Sequence, residues 1–229
     1  MTTTFAAFNA IIQNEINDNT AAMLLRIESW TNDAHYEICN ARDWHWLEKV
    51  SDSTTLTSAN TPFAYATTLK VATVTTLARK LLDVIDVSKS PNEALIFCTD
   101  QQLRQAEIDY SGYTSEPEYW LIQAGLLKVF PGLDTTGRAF TMRFVQDAAP
   151  YTAGSTSALL IPDRHIATLK AAVLHRVWSW LNDTRAPQRF AEFGKLFTEM
   201  KTEDAERAPI IYSQWFIPRT RLPRVVTGV

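Results

Sequence analysis

Helical periodicity occupies both ends of this chain and strand periodicity its middle, and that order limits the available folds more than any single motif. Phe5, Phe8, Ile12 and Ile16 recur at spacings of three and four, which predicts a short helix capped from the Thr run at 2–4 and broken by Asn17-Asp18-Asn19. Thr20 then caps a longer helix with the apolar stripe Leu24, Ile27, Ala34, Ile38 and Ala41, widened by Trp30. Its other face, with Arg26, Glu28, Asn32, Asp33 and Glu37, is polar. Toward the other end, Pro162 precedes a third helix striped by Ile166, Leu169, Val173, Val177 and Trp180. Pro187 opens a fourth, where Phe190, Phe193, Phe197 and Met200 form an aromatic stripe that calls for a partner helix.

Between these blocks the pattern changes. Trp44-His45-Trp46-Leu47 is an anchor, since each buried aromatic removes on the order of 150–250 Å² from water and can pin a helix end to a sheet. From Ser51 onward Thr, Ser, Val and Ala dominate, and Leu69/Val71/Thr73, 81–87 and 94–99 read as short strands. Asp100 caps a short helix bearing Leu103, Ala106, Glu107 and Tyr110. Ala124-Gly125 joins 119–123 and 126–130 as a hairpin, and Phe140/Met142/Phe144 alternate as in a half-buried strand. The expected fold is therefore α+β but mainly α: an antiparallel bundle of about four main helices with a small β-rich insertion and an extended C-terminal arm. The expected segments are 1–50 and 161–207 for the bundle, 51–160 for the insertion and 208–229 for the arm.

The arm holds Pro209, Pro218 and Pro223, no Asp or Glu, and Arg219, Arg221 and Arg224, so it reads as extended and basic. Ile210, Ile211, Tyr212, Trp215, Phe216, Ile217, Val225 and Val226 make it too apolar for a solvated tail, and a segment of that kind is expected to bind a partner.

Composition removes several function classes. With 229 residues, 46% hydrophobic and 21% charged, the chain can bury a core and is not disordered in bulk. A net charge of −3 lacks the basic balance of a protein that wraps phosphate backbone. Cys39 and Cys98 show no Cys-x-x-Cys spacing, which fits free thiols in a reducing cytosol. The N-terminal residues lack the pattern of a signal peptide, and no apolar run of about 18 residues is present for a membrane span.

Candidates for chemistry are few. His35 and Cys39, spaced i, i+4, could hold a metal from one helix face with His45 as a distant third ligand, and Cys39 with His45 or His175 could form a nucleophile and base. Ordinary helix packing explains the same residues. His165 and His175 lie nearly three turns apart, too far for joint ligation. The stretch 132–137 lacks the lysine of a phosphate loop, and Glu116/Glu118 flank Pro117 without apolar surroundings to raise a pKa. The tryptophans of Trp44-His45-Trp46 and Trp178-Ser179-Trp180 could stack bases, but no basic groove accompanies them, so core packing is the reading.

The order of segments resembles the head–tail adaptor family of tailed phages, also called connectors, tail accessory factors or head completion proteins. The matching residues are Ile27-Glu28-Ser29-Trp30-Thr31-Asn32-Asp33-Ala34 with Ile38, then Arg42-Asp43-Trp44-His45-Trp46-Leu47. Glu116-Pro117-Glu118-Tyr119-Trp120-Leu121, the strand through Phe140 and Val145 to Tyr151, and Ile161-Pro162-Asp163-Arg164-His165 leading to Trp178, Phe193 and Phe197 follow in order. The resemblance spans roughly residues 5 to 205. It implies a non-catalytic virion protein at the neck, made in the host cytoplasm, without cofactor or metal. Such a protein forms a ring with adjacent copies of itself, commonly of twelve, and binds the portal protein and tail or nozzle proteins. Packaged double-stranded DNA would pass its lumen without specific binding, and no membrane is involved. Tyr212, Trp215, Phe216, Arg219, Arg221 and Arg224 are the expected portal-binding or neighbour-binding residues. Trp30, Trp44, Trp46, Trp178, Phe193 and Phe197 are the expected structural anchors. The competing readings are a cytosolic enzyme or metal-binding protein using Cys39 and His35, and a DNA-binding regulator using the basic arm.

Overall fold

Two threonine caps set the N-terminal helices in a computed structural model that describes residues 2–59, 62–99, 101–102 and 116–207. The predicted helix carrying Leu103, Ala106, Glu107 and Tyr110, and the arm at 208–229, lie outside the described residues. Helix α1 (Phe5–Ile16) starts at Thr4, whose hydroxyl accepts the Ala7 N–H, and stops at Asn17 with φ 55°. Helix α2 (Ala21–Asn40) starts at Thr20, which accepts the Met23 N–H. After the short α3 (Tyr65–Thr68), α4 (Ile166–Trp180) follows a 3-10 turn behind Pro162, and α5 (Ala186–Arg207) returns along it.

The strands are β1 (Glu48–Val50), β2 (Thr54–Leu56), β3 (Lys70–Val71), β4 (Val74–Thr75), β5 (Ala78–Asp86), β6 (Glu93–Ala94), β7 (Ile96–Phe97), β8 (Tyr119–Gln123), β9 (Leu126–Phe130) and β10 (Arg138–Gln146). The main sheet runs β1-β10-β5-β6, with β2 beside β1 along the same edge of β10. Its β10–β5 ladder shifts register between Arg143 and Phe144 and again between Val145 and Gln146. Such bulges bend a strand and increase its twist, in keeping with a sheet that curls into a half-barrel. Strands β3 and β4 form a separate hairpin, and β7-β8-β9 a third sheet in which β7 runs parallel to β8.

Strand β10 is the wall between two cores. Phe140, Met142 and Phe144 face a sheet core with Leu56, Leu69, Val84, Trp120 and Leu127. Val145, one step out of that alternation, belongs to the helical core with Phe5, Phe8, Ile27, Ile38, Trp44, Val173, Val177 and Met200.

This arrangement overturns the expected helical bundle with a small β insertion. The described residues hold five helices and ten strands in three sheets, with 42% helix and 24% strand. The cause lies in the sequence pattern: β5 and β10 are nine residues each and carry a core of their own, whereas six strands of two or three residues are too short to show a period of two. The predicted strand at 94–99 divides at the buried Leu95, β6 joining β5 and β7 joining β8. Glu28, placed by periodicity on the polar face of α2, is buried and accepts the Gly154 N–H at 2.8 Å.

Helix layer and sheet meet at the C-terminal end of α2. The Trp44 indole N–H donates to the Ile38 carbonyl at 2.6 Å. Arg79 of β5 donates to the carbonyls of Cys39 (3.1 Å) and Arg42 (3.0 Å), to Asn40 Oδ1 and to Asp43 Oδ1 (2.9 Å). One planar guanidinium thereby takes the Cys39 carbonyl at the end of α2 together with acceptors of the turn that follows it. Replacing Arg79 by Lys keeps the charge but loses the fork, and should cost about 1–3 kcal/mol in urea unfolding. Lys80→Ala, which removes only an exposed partner of Asp43, should cost under about 1 kcal/mol. Equal effects of the two substitutions would rule out the fork as the joint.

Candidate functional site

His35 and Cys39 are brought together by one turn of α2, with Cys39 Sγ 3.7 Å from His35 Nε2. Both are buried in the helical core. The Tyr151 hydroxyl lies 3.5 Å from the same nitrogen, donates to the Ala158 carbonyl and accepts the Leu160 N–H. Burial lowers the His35 pKa to about 4 and raises the Cys39 pKa to about 12. At neutral pH the pair is a neutral imidazole and an intact thiol, the protonation states of a packed core and not of an activated nucleophile. His45 is elsewhere: its backbone N–H donates to Asp204 Oδ1 at 3.0 Å and its Nδ1 lies 3.7 Å from Glu48. Among the described residues no three His, Cys, Asp or Glu side chains gather as metal ligands.

The remaining candidates are structural in their contacts. His175 Nδ1 meets the Ala186 carbonyl at 3.1 Å, joining α4 to the start of α5. His165 Nε2 accepts from Arg164 Nε at 3.0 Å, beside Glu203 of α5. Glu116 binds Lys89 and Arg138, and these hydrogen bonds hold its pKa below the ordinary carboxylate value. In the turn at 132–137, Asp134 Oδ1 accepts the Thr136 and Gly137 N–H groups. Gly137 has φ 72°, and a Cβ there would sit 2.5 Å from the Leu56 carbonyl oxygen.

The tryptophans and phenylalanines chosen as anchors fall into two groups. Trp44 stacks on Trp46 (4.4 Å, 22°) and meets Phe197 edge-on at 6.0 Å, while Phe193 stacks on Phe197 at 5.4 Å. This group clamps α5 against the end of α2. Trp178 is buried, with Arg185 3.6 Å over its ring. Trp30 is half-buried and reaches Trp180 at 6.1 Å. Trp180, assigned by periodicity to a core stripe, is 46% exposed with Arg26 4.5 Å over its ring. Phe190, also assigned to a stripe, is 59% exposed and rests on His175.

Leu25, Trp180, Leu181 and Phe190 are thus large apolar groups left at the surface of the helical layer. Leu25 falls outside the stripe of α2, the signal by which sequence alone could have found it. The arm residues Tyr212, Trp215, Phe216, Arg219, Arg221 and Arg224 lie outside the described residues. Their point of departure is described: α5 ends at Arg207, and one turn earlier Asp204 takes the His45 N–H and pairs with Arg42 at 3.5 Å.

Polar and titratable groups tied into joints between elements, together with apolar side chains left outside, define a structural protein suited to assembly. The chain belongs to the SU10 adaptor protein family, whose model matches residues 3–213. That is a phage adaptor family of virion structural proteins, a class that is normally non-enzymatic. A search of curated proteins returned no match.

Two measurements check the buried pair. No thiol should react with an aromatic disulfide reagent at pH 8 in the folded protein and two should react in denaturant, because Cys39 and Cys98 are both buried, with pKa values raised to about 12 and about 11. For His35, the folded pKa of about 4 lies below the unfolded value of 6.5. Above pH 6.5 neither state binds the proton, whereas below it the unfolded state does, so stability falls from pH 6.5 to pH 4 by about 3 kcal/mol and then levels. His35→Phe should flatten that slope in urea titrations, and an unchanged slope would show that other groups cause it.

Proposed function

We propose that this phage adaptor is a head–tail adaptor that docks on the portal of a filled head, extends the DNA channel and receives the tail. The observation that carries this reading is a family match covering most of the chain. Ring assembly with adjacent copies, twelve by the usual stoichiometry of such necks, supplies a partner for the apolar groups at Leu25, Trp180 and Phe190. The charge division agrees. The arm carries three arginines and no carboxylate, so the rest of the chain has 19 Lys and Arg against 25 Asp and Glu. An acidic body suits a lumen through which DNA slides, since attraction to phosphates would retain it. A basic, apolar arm with Tyr212, Trp215 and Phe216 suits docking on another protein by wrapping or strand addition.

Truncation after Ala208 should abolish capture by portal particles in a protein that still unfolds cooperatively. Capture that persists removes the arm from the interface. Native mass spectrometry with portal present should show a closed ring, and monomers throughout would overturn ring assembly. The arm's arginines also fit a DNA-binding regulator, which requires salt-sensitive DNA affinity with a slope set by the phosphates neutralised; a flat, weak titration at low salt separates the two.

A further inference from the structure

Two exposed charges of opposite sign lack an ion-pair partner among the described residues, and each stands among exposed apolar side chains. Arg26 of α2 lies 4.5 Å over the ring of Trp180 at the end of α4, and no carboxylate among the described residues pairs with it. That contact brings the Leu25-Arg26 stretch beside Trp180-Leu181; Leu25 is 62% exposed, and Trp180 and Leu181 are exposed too. The acidic groups further along α2 are already engaged, Asp33 and Glu37 both pairing with Arg176. A cation held on an aromatic face without an anion, among large apolar groups in water, is a surface prepared for a partner.

The second patch is on the sheet β7-β8-β9. Glu118 extends β8 by one residue, its N–H donating to the Phe130 carbonyl and its carbonyl accepting the Ile96 N–H. Alternation sets Glu118, Trp120 and Ile122 on one face of this sheet, and Phe97, opposite Trp120 on β7, meets that ring edge-on at 4.8 Å. Trp120 is buried in the sheet core, but Phe97 is 55% exposed and Ile122 is exposed as well. Lys128 of β9 stands opposite Leu121, on the other face, and binds Gln123, so Glu118 keeps no cation among the described residues. The two patches belong to layers on opposite sides of β10, since Trp120 packs in the sheet core and α2 and α4 in the helical core. Neither patch suits itself across a two-fold axis, which would set Arg26 against Arg26 or Glu118 against Glu118. Opposite charges, each unpaired and flanked by apolar groups, are complementary to one another.

We infer that the patch of Leu25, Arg26, Trp180 and Leu181 on one copy docks on the patch of Phe97, Glu118 and Ile122 on the next, with Arg26 and Glu118 paired across the contact. The contact joins two different surfaces, so each copy offers one to either neighbour, and repetition gives a ring when the rotation closes. The inference rests on the ring assembly proposed above and adds which surfaces meet.

Charge exchange in the full chain tests it, with assembly followed by native mass spectrometry in the presence of portal. Arg26→Glu sets carboxylate against carboxylate and Glu118→Arg sets guanidinium against guanidinium. Each variant alone should therefore assemble on the order of tenfold more weakly than the unsubstituted chain. An equimolar mixture of the two variants should recover assembly with the copies alternating, because every contact in that arrangement is again between opposite charges. Recovery on mixing also shows that both variants fold. Assembly of each variant alone as readily as the unsubstituted chain overturns this contact and leaves ring assembly standing. Loss in both variants without recovery on mixing overturns it too, and assigns the two charges to a partner other than a second copy. Monomers of the unsubstituted chain throughout overturn ring assembly itself, and this contact with it.

Discussion

The carbonyl end of α2 is the constraint on which the two halves of the molecule depend. A helix leaves its last carbonyls unsatisfied, and at a buried end each one left unpaired costs on the order of 1–3 kcal/mol. Here Arg79 takes the Cys39 carbonyl, and the Trp44 indole and Arg79 add second bonds to the carbonyls of Ile38 and Arg42, which already accept the N–H groups of Ala41 and Trp44. Arg79 belongs to β5, the neighbour of β10, so capping the helix and docking the sheet are one event. Asp43, which binds both Arg79 and Lys80, holds the connecting turn to the same strand, and those bonds keep its pKa below the ordinary value. The turn then delivers Trp44, stacked on Trp46, to Phe197, which ties α5 to the same point.

Tyr151 does for the other end of the helical core what Arg79 does for this one. Its backbone N–H and C=O are held by the Asn32 side-chain amide at 2.9 and 3.0 Å, and its ring stacks on Phe5 at 4.9 Å and meets His35 edge-on. The loop after β10 is thereby fastened to α1 and α2 together, with Glu28 fixing Gly154 a few residues on. Glu28 and His35 are buried polar groups that sit where the loop after β10 crosses the helices. Each is worth more as a locator than as a source of stability, because a wrong packing would strand it without a partner.

What could be read from the sequence follows from how far each signal extends. Helices α1, α2, α4 and α5 announce themselves through several turns of apolar spacing, and the β8–β9 hairpin through Ala124-Gly125, which takes φ 50° and 75° as a two-residue turn demands. Strands of two residues carry no period, so the size of the sheet and the separate core behind Phe140 and Phe144 were not legible, and a bundle was the natural but mistaken reading. The same limit applies to the site. Spacing placed His35 and Cys39 one turn apart, but only the fold shows that Tyr151 closes over them and that burial holds both neutral. Asp204 had no signal at all, since its importance lies in where the last turn of α5 meets Arg42 and His45.

That meeting point bears on how such a protein can work as an adaptor. Ordering a chain segment on binding costs conformational entropy, and elements that are already packed before assembly do not pay it again. Alpha-helix α5 is well anchored over its length: Arg189 pairs with Glu15 of α1, Phe197 packs on Trp44, Met200 is buried and Asp204 is bound at His45. The rigid part of the molecule therefore extends to within one turn of Arg207. What the described residues fix is the place where α5 ends, tied through Asp204 and Phe197 to the same turn that Arg79 joins to the sheet.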